Sequence, residues 1–131
     1  MSDEQRHIDS MADRTFDIAD RLLDFAVSVG KIAISFPNDG LGSHVANQLI
    51  RSGTAPAANY AEAQAAESRR DFIHKMKLSL KELRESLVWL RLAQRMNLKA
   101  ASSLEATVAE CDELIAIFFK SIETAGRNKS L

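Results

Sequence analysis

The sequence predicts an all-α protein: an antiparallel up-down-up-down four-helix bundle whose second helix is kinked at Pro56. Three observations lead there. Apolar residues recur at steps of three and four along four long stretches, the period of a helix with one buried face. No run of β-branched residues alternates with polar ones, so strand signals are absent. Turn residues are few, two prolines and five glycines in 131 residues, and the links they leave are short, which makes neighbouring helices antiparallel. The length suits one domain with its own core. Residues 1–12 read as a polar tail, 13–125 as the bundle and 126–131 as a second tail.

The first helix is expected from Asp13 to Phe36. Phe16, Ala19, Leu22 or Leu23, Ala26, Val29, Ala33 and Phe36 keep the helical step, and Ile18, Phe25 and Ile32 add a second stripe. That apolar arc is wider than one neighbour needs. FPNDGLG then breaks the chain with Pro37, Gly40 and Gly42. The second helix is expected from Leu41 to Ala66, interrupted at Gly53–Pro56, because glycine weakens a helix and proline removes a donor and clashes with the preceding turn. QAAES links it to the third. There Ser68-Arg69-Arg70-Asp71 has the form of a capping box. The third helix carries Ile73, Met76, Leu80, Leu83, Leu87 and Leu90 in a heptad-like seam and should stop near Asn97. The fourth, Ser102 to Thr124, repeats the rhythm with Leu104, Val108, Cys111, Ile115, Phe118 and Ile122 before Gly126.

Composition narrows the function classes. One cysteine excludes an internal disulfide, and on the core seam of the fourth helix it reads as a small buried residue. A di-iron site needs a Glu-x-x-His motif projecting inward on each of two helices, which His7, His44 and His74 do not supply, so Glu62, Glu82 and Glu85 do not make one. No metal, cofactor or catalytic residue is expected, and no phosphate-binding glycine loop is present. No apolar run reaches the ~18 residues of a membrane span. With its polar, acidic N-terminus, the chain is expected to be cytoplasmic.

The net charge of −1 conceals an asymmetry. Residues 69–99 carry nine bases and three acids, whereas residues 1–26 carry seven acids and three bases, and residues 101–124 five acids and one base. On the third helix Arg70, Lys77, Arg84 and Arg91 repeat every seven residues, interleaved with His74, Lys81 and Arg95. All seven fall within about a third of the circumference. Such a stripe is a candidate nucleic-acid-binding surface. Its bland counterpart is a solvated face whose stems cover apolar edges. No aromatic residues interleave with it for stacking on bases. On another side of the same helix Leu78, Trp89 and Met96 project together, with Leu92 nearby. That is a candidate oligomer interface, unless the helix is central and covered on two sides by its own chain.

The region around Pro56 is dense in polar residues. If the second and third helices are antiparallel about the turn near residue 67, positions whose numbers sum to about 134 face one another. Arg51 then lies beside Glu82 and Glu85. Glu62 lies near Lys75 and within a turn of Asp71, with Asn59 close by. Pro56 frees the carbonyl of Ser52, and the hydroxyls of Ser52 and Thr54 are available to the freed backbone. The expected role is structural: these groups satisfy a kinked helix and fix its register.

QLIRSGTAPAANYAEAQAAESRRDFIHKMKLSLKELRESLVWL carries a wider pattern. Gln48, Leu49, Arg51, Ser52, Asn59, Glu62, Ala63, Ser68, Asp71, Phe72, Ile73, Lys75, Glu82, Leu83, Glu85, Ser86, Trp89 and Leu90 resemble the motif of the bacterial ribosomal RNA intervening-sequence proteins. Phe16, Ala19, Arg21 and Leu22 extend it into the first helix. The resemblance covers most of residues 16–98. It implies a four-helix bundle, commonly a ring-shaped homopentamer, with no established enzymatic activity. The accessory variability proteins of diversity-generating retroelements are a related branch. They imply a basic module that binds nucleic acid and reverse transcriptase, and this near-neutral chain departs from them in charge. The expected function is a homo-oligomeric scaffold that binds a protein partner. The alternative is a nucleic-acid-binding module.

Overall fold

A computed structural model describes residues 1–127, with side chains described at residues 1–6 and 18–127. The chain is all-α, and no strand occurs among the described residues. Four helices follow in order: α1 Asp3–Ile34, α2 Gly40–Gln64, α3 Arg69–Arg95 and α4 Ala101–Arg127. Adjacent helices in sequence pack most closely, and α1 touches α4 over a much smaller area. Thus α2 lies between α1 and α3, and α3 between α2 and α4.

Helix ends follow local chemistry. The Ser2 hydroxyl accepts the Gln5 N–H at 3.0 Å, Asp39 Oδ1 accepts the Gly42 N–H at 2.7 Å, and Ser68 Oγ accepts the Asp71 N–H at 3.0 Å. Each satisfies a donor that a first helical turn leaves unpaired. At the end of α3 the Leu98 N–H reaches Ala93 O and the Asn97 N–H reaches Gln94 O, while Asn97 takes φ 53°. This is a Schellman ending with asparagine in the left-handed position.

Three expectations about the helices change. α1 begins at Asp3 rather than Asp13. Its start signal is the polar Ser2–Gln5 cap, which apolar periodicity does not register. The side chain of Phe16, expected on the α1 core face, lies outside the description, and so do residues 128–131 of the expected tail. α4 continues to Arg127, past the expected stop at Thr124. Finally, α2 is not interrupted, since residues 53–56 are helical. Gly53 is there because of crowding. A Cβ at Gly53 would lie 2.6 Å from Val29 Cγ1, so α1 and α2 approach closely at this point.

The core is a continuous cluster drawn from every helix. Leu22, Phe25 and Val29 of α1, Val45, Leu49 and Pro56 of α2, Leu83 and Leu90 of α3, and Leu104, Leu114 and Phe118 of α4 are essentially inaccessible. Each such aliphatic or aromatic side chain contributes about 1.5–3 kcal/mol relative to exposure. Tyr60 and Phe118 meet edge-to-face at 5.8 Å, which joins α2 to α4 across the centre.

Candidate functional site: the α2–α3 seam and the charged face of α3

α2 and α3 run antiparallel, close to the register expected from the sequence. Arg51 Nη1 donates to Glu82 Oε2 at 3.0 Å, and Nη2 pairs with Glu85 Oε1. Lys75 Nζ pairs with Glu62 Oε2 at 3.1 Å. Both expected ion clusters therefore form. Arg51 is half exposed and its two carboxylates are more covered, so the guanidinium closes the seam from the solvent side. Asn59 is half-buried and makes no side-chain hydrogen bond among the described residues, so it does not join the Glu62–Lys75 pair. Asp71 serves the α3 start through its backbone N–H.

Between the two clusters lies a buried line of hydroxyls. Ser52, Ser79 and Ser86 are fully buried. Ser79 Oγ donates to Pro56 O at 3.1 Å, so a helix-three hydroxyl contacts the backbone at the proline itself. Ser86 Oγ lies 2.9 Å from both Ser52 Oγ and Glu82 O. A hydroxyl has one proton, so the shortest consistent set has Ser86 donating to Glu82 O and Ser52 supplying the proton between the two serines. Thr54 turns its hydroxyl back as expected, but onto Ile50 O at 2.8 Å rather than onto the Ser52 carbonyl. No buried side-chain polar atom among the described residues lacks a partner. Of this line, Ser52 stands out in the sequence as a polar-motif residue and Ser86 as part of the family resemblance, whereas Ser79 does not stand out. The available signal is that Ser79 and Ser86 sit seven apart within the apolar seam of α3, positions that must be buried.

A second polar tie joins the first and last helices. Arg21 Nε donates to Glu110 Oε2 at 3.1 Å, its Nη2 to Glu110 Oε1 at 2.6 Å, and Glu113 lies 3.2 Å away. This two-point pairing holds the Arg21 guanidinium firmly charged, the hydrogen bonds to Glu110 outweighing the cost of partial burial. Nothing in local sequence pairs residues this far apart.

The seven basic residues of the α3 stripe, Arg70, His74, Lys77, Lys81, Arg84, Arg91 and Arg95, are all exposed. Arg91 reaches Asp112 of α4 at 3.8 Å. Arg70, His74, Lys77, Lys81, Arg84 and Arg95 make no ion pair among the described residues. The apolar side of α3 is more covered than a free interface would be. Leu78 is half-buried, and Trp89 and Leu92 lean on the core. The Trp89 ring meets His44 edge-on at 5.8 Å and its Nε1 faces Glu85 Oε1 at 3.4 Å. Only Met96 of that set is exposed, at 45%. The larger exposed apolar surface is on α1, where Leu23 (58%), Val27 (55%) and Ile34 (83%) share a face.

Cys111 is buried, with Sγ 3.2 Å from Leu83 O, and burial pushes its thiol up to about 12. A thiol so placed is inert rather than nucleophilic. Among the described residues no group of three His, Cys, Asp or Glu side chains is placed to hold a metal ion. No described helix is long and apolar enough to cross a membrane.

Residues 14–120 match the family model of the 23S rRNA-intervening sequence protein. The chain belongs to that family. A solved structure from Bacteroides thetaiotaomicron, a protein of unknown function from the S23 ribosomal protein family, superposes with a TM-score of 0.72. It is 30% identical, and the match covers 80% of this chain and 97% of that one. No curated protein matches the chain. The family match spans both α2–α3 ion clusters, the serine line and the Arg21 tie to α4.

Proposed function

We propose that this family member is a non-enzymatic interaction scaffold: an antiparallel up-down-up-down four-helix bundle, bent at Pro56, that self-associates in the cytoplasm as a homopentamer and presents its outer faces to a protein partner. The observation that carries the reading is the α1 stripe. Leu23, Val27 and Ile34 are spaced by four and seven residues and face solvent. A helix normally turns such a stripe inward, so its exposure in the single chain favours burial against another copy. Val88 (61%) and Met96 on α3 supply a second apolar surface. A closed ring needs two different patches on each subunit. The inner polar groups are engaged in ties between helices, which favours a rigid module over a reactive site.

Light scattering at micromolar concentration tests the assembly. A mass of five chains is expected, and Val27→Glu should release monomers that keep their helicity. A monomeric wild-type protein would overturn the reading. Nucleic-acid binding along α3 is a second reading, favoured by the exposure of all seven basic residues of the stripe and the lack of ion pairs at most of them among the described residues. It requires affinity that falls steeply with salt and weakens in Lys77→Gln, Arg84→Gln and Arg91→Gln.

A further inference from the structure

We infer that the groove between the N-terminal half of α3 and the C-terminal half of α4 docks an acidic, amphipathic peptide segment of a protein partner. This rests on the scaffold reading for its purpose but not on the assembly, because the groove is complete within one chain.

Among the described residues, three of the four helix seams carry a bridge of opposite charges. Arg21 meets Glu110 between α1 and α4, Arg51 meets Glu82 and Glu85 between α2 and α3, and Arg91 meets Asp112 at the other end of the α3–α4 seam. In the remaining stretch of that seam Arg70, His74 and Lys77 have no ion-pair partner among the described residues. Arg70, His74 and Lys77 line the α3 side, and Ile122 and Gly126 line the α4 side. The nearby carboxylate of α4, Glu123, is engaged by Arg127 within its own helix. The floor is aliphatic, from the half-buried Ile73 and Ile122. A Cβ built on Gly126 meets no atom within 4 Å, so the groove is open there among the described residues.

Two needs therefore coincide: aliphatic contact for the floor and carboxylates for the rim. An amphipathic helix or extended segment carrying Leu or Ile on one side and Asp or Glu beside them meets both. The rim charges favour encounter and the floor supplies affinity. Nucleic acid fits less well, since an aliphatic floor offers nothing to a phosphate backbone and no Phe, Tyr or Trp lines the groove for a base.

Fluorescence anisotropy on the full chain at low salt would use three labelled probes. The first is a helical peptide of about five turns with Leu at i, i+3, i+4 and i+7 and Glu elsewhere. The second is the same peptide with every Leu changed to Ser. The third is an oligo-dT of similar length. Only the Leu/Glu peptide should bind tightly. Arg70→Glu combined with Lys77→Glu should weaken it by about tenfold or more. Gly126→Phe, which fills the groove from an open position, should abolish binding while circular dichroism stays unchanged. Equal binding of the Ser peptide or the oligonucleotide would overturn the inference. So would binding unaffected by Gly126→Phe, or no binding of the Leu/Glu peptide. Light scattering on the same samples separates failure of the groove from failure of the assembly.

Discussion

Gly53→Ala sets two physical effects against each other. In a helix interior alanine is favoured over glycine by about 1 kcal/mol, so a reading from propensity expects stabilisation. The structure expects the reverse. The added methyl would lie 2.6 Å from Val29 Cγ1, 2.9 Å from Cγ2 and 3.0 Å from Cβ. Those atoms belong to a short, β-branched side chain with a stiff χ1, fully buried in the core. Val29 cannot swing aside, so the helices must separate. Overpacking of this kind costs about 1–3 kcal/mol, and with three Val29 atoms within 3.0 Å the upper part of that range applies. The net expectation is destabilisation by about 1–2 kcal/mol after the propensity gain. Denaturant unfolding followed by circular dichroism, at one fixed protein concentration, reads it directly. The decisive control is Val29→Ala. Alone it opens a cavity and costs about 1–3 kcal/mol, but combined with Gly53→Ala it makes room for the new methyl. The double variant should therefore be at least about 1 kcal/mol more stable than the sum of the singles. A neutral or stabilising Gly53→Ala, or additive behaviour in the cycle, would refute the close-approach argument.

Three further outcomes are expected. Double-mutant cycles of Arg51→Ala with Glu82→Ala and with Glu85→Ala should each show coupling of about 0.5–1 kcal/mol, modest because Arg51 is half exposed; zero coupling in both would mean the seam does not depend on the ion cluster. Cys111 should resist an aromatic disulfide reagent at pH 8 until the protein unfolds. Because its folded pKa of about 12 lies above the ordinary 9.0, its contribution to stability is full below pH 9 and is lost as pH rises from there towards 12; flat stability over that window, with rapid native labelling, would contradict its burial. Asn97→Ala should lower stability by about 1 kcal/mol and Asn97→Gly should not, because φ 53° penalises a Cβ without a compensating polar side chain; equal melting temperatures for the two would argue against the Schellman ending.

The sequence by itself determined the all-α class, the four periodic stretches and the family, because helical period and cap chemistry are local properties. It also determined the Arg51 and Glu62–Lys75 pairings. A short link between α2 and α3 makes their register nearly a matter of counting from the turn. Only the tertiary structure decided the rest. Residues 53–56 read as a helix break because propensity weighs each residue alone, yet α2 continues through them. There neighbouring helices dominate: Val29 crowds Gly53, and Ser79 reaches the Pro56 carbonyl. The Arg21–Glu110 tie joins residues whose meeting depends on three intervening turns, none of which encodes the distance. The same holds for the exposed apolar surface. Trp89 looked free on a helical wheel and proved to be half-covered by its own chain, while Leu23, Val27 and Ile34 of α1 remained open. A single helix records how wide its apolar arc is. Which part of that arc finds a partner depends on where the other helices lie, and that is settled only when all four pack together.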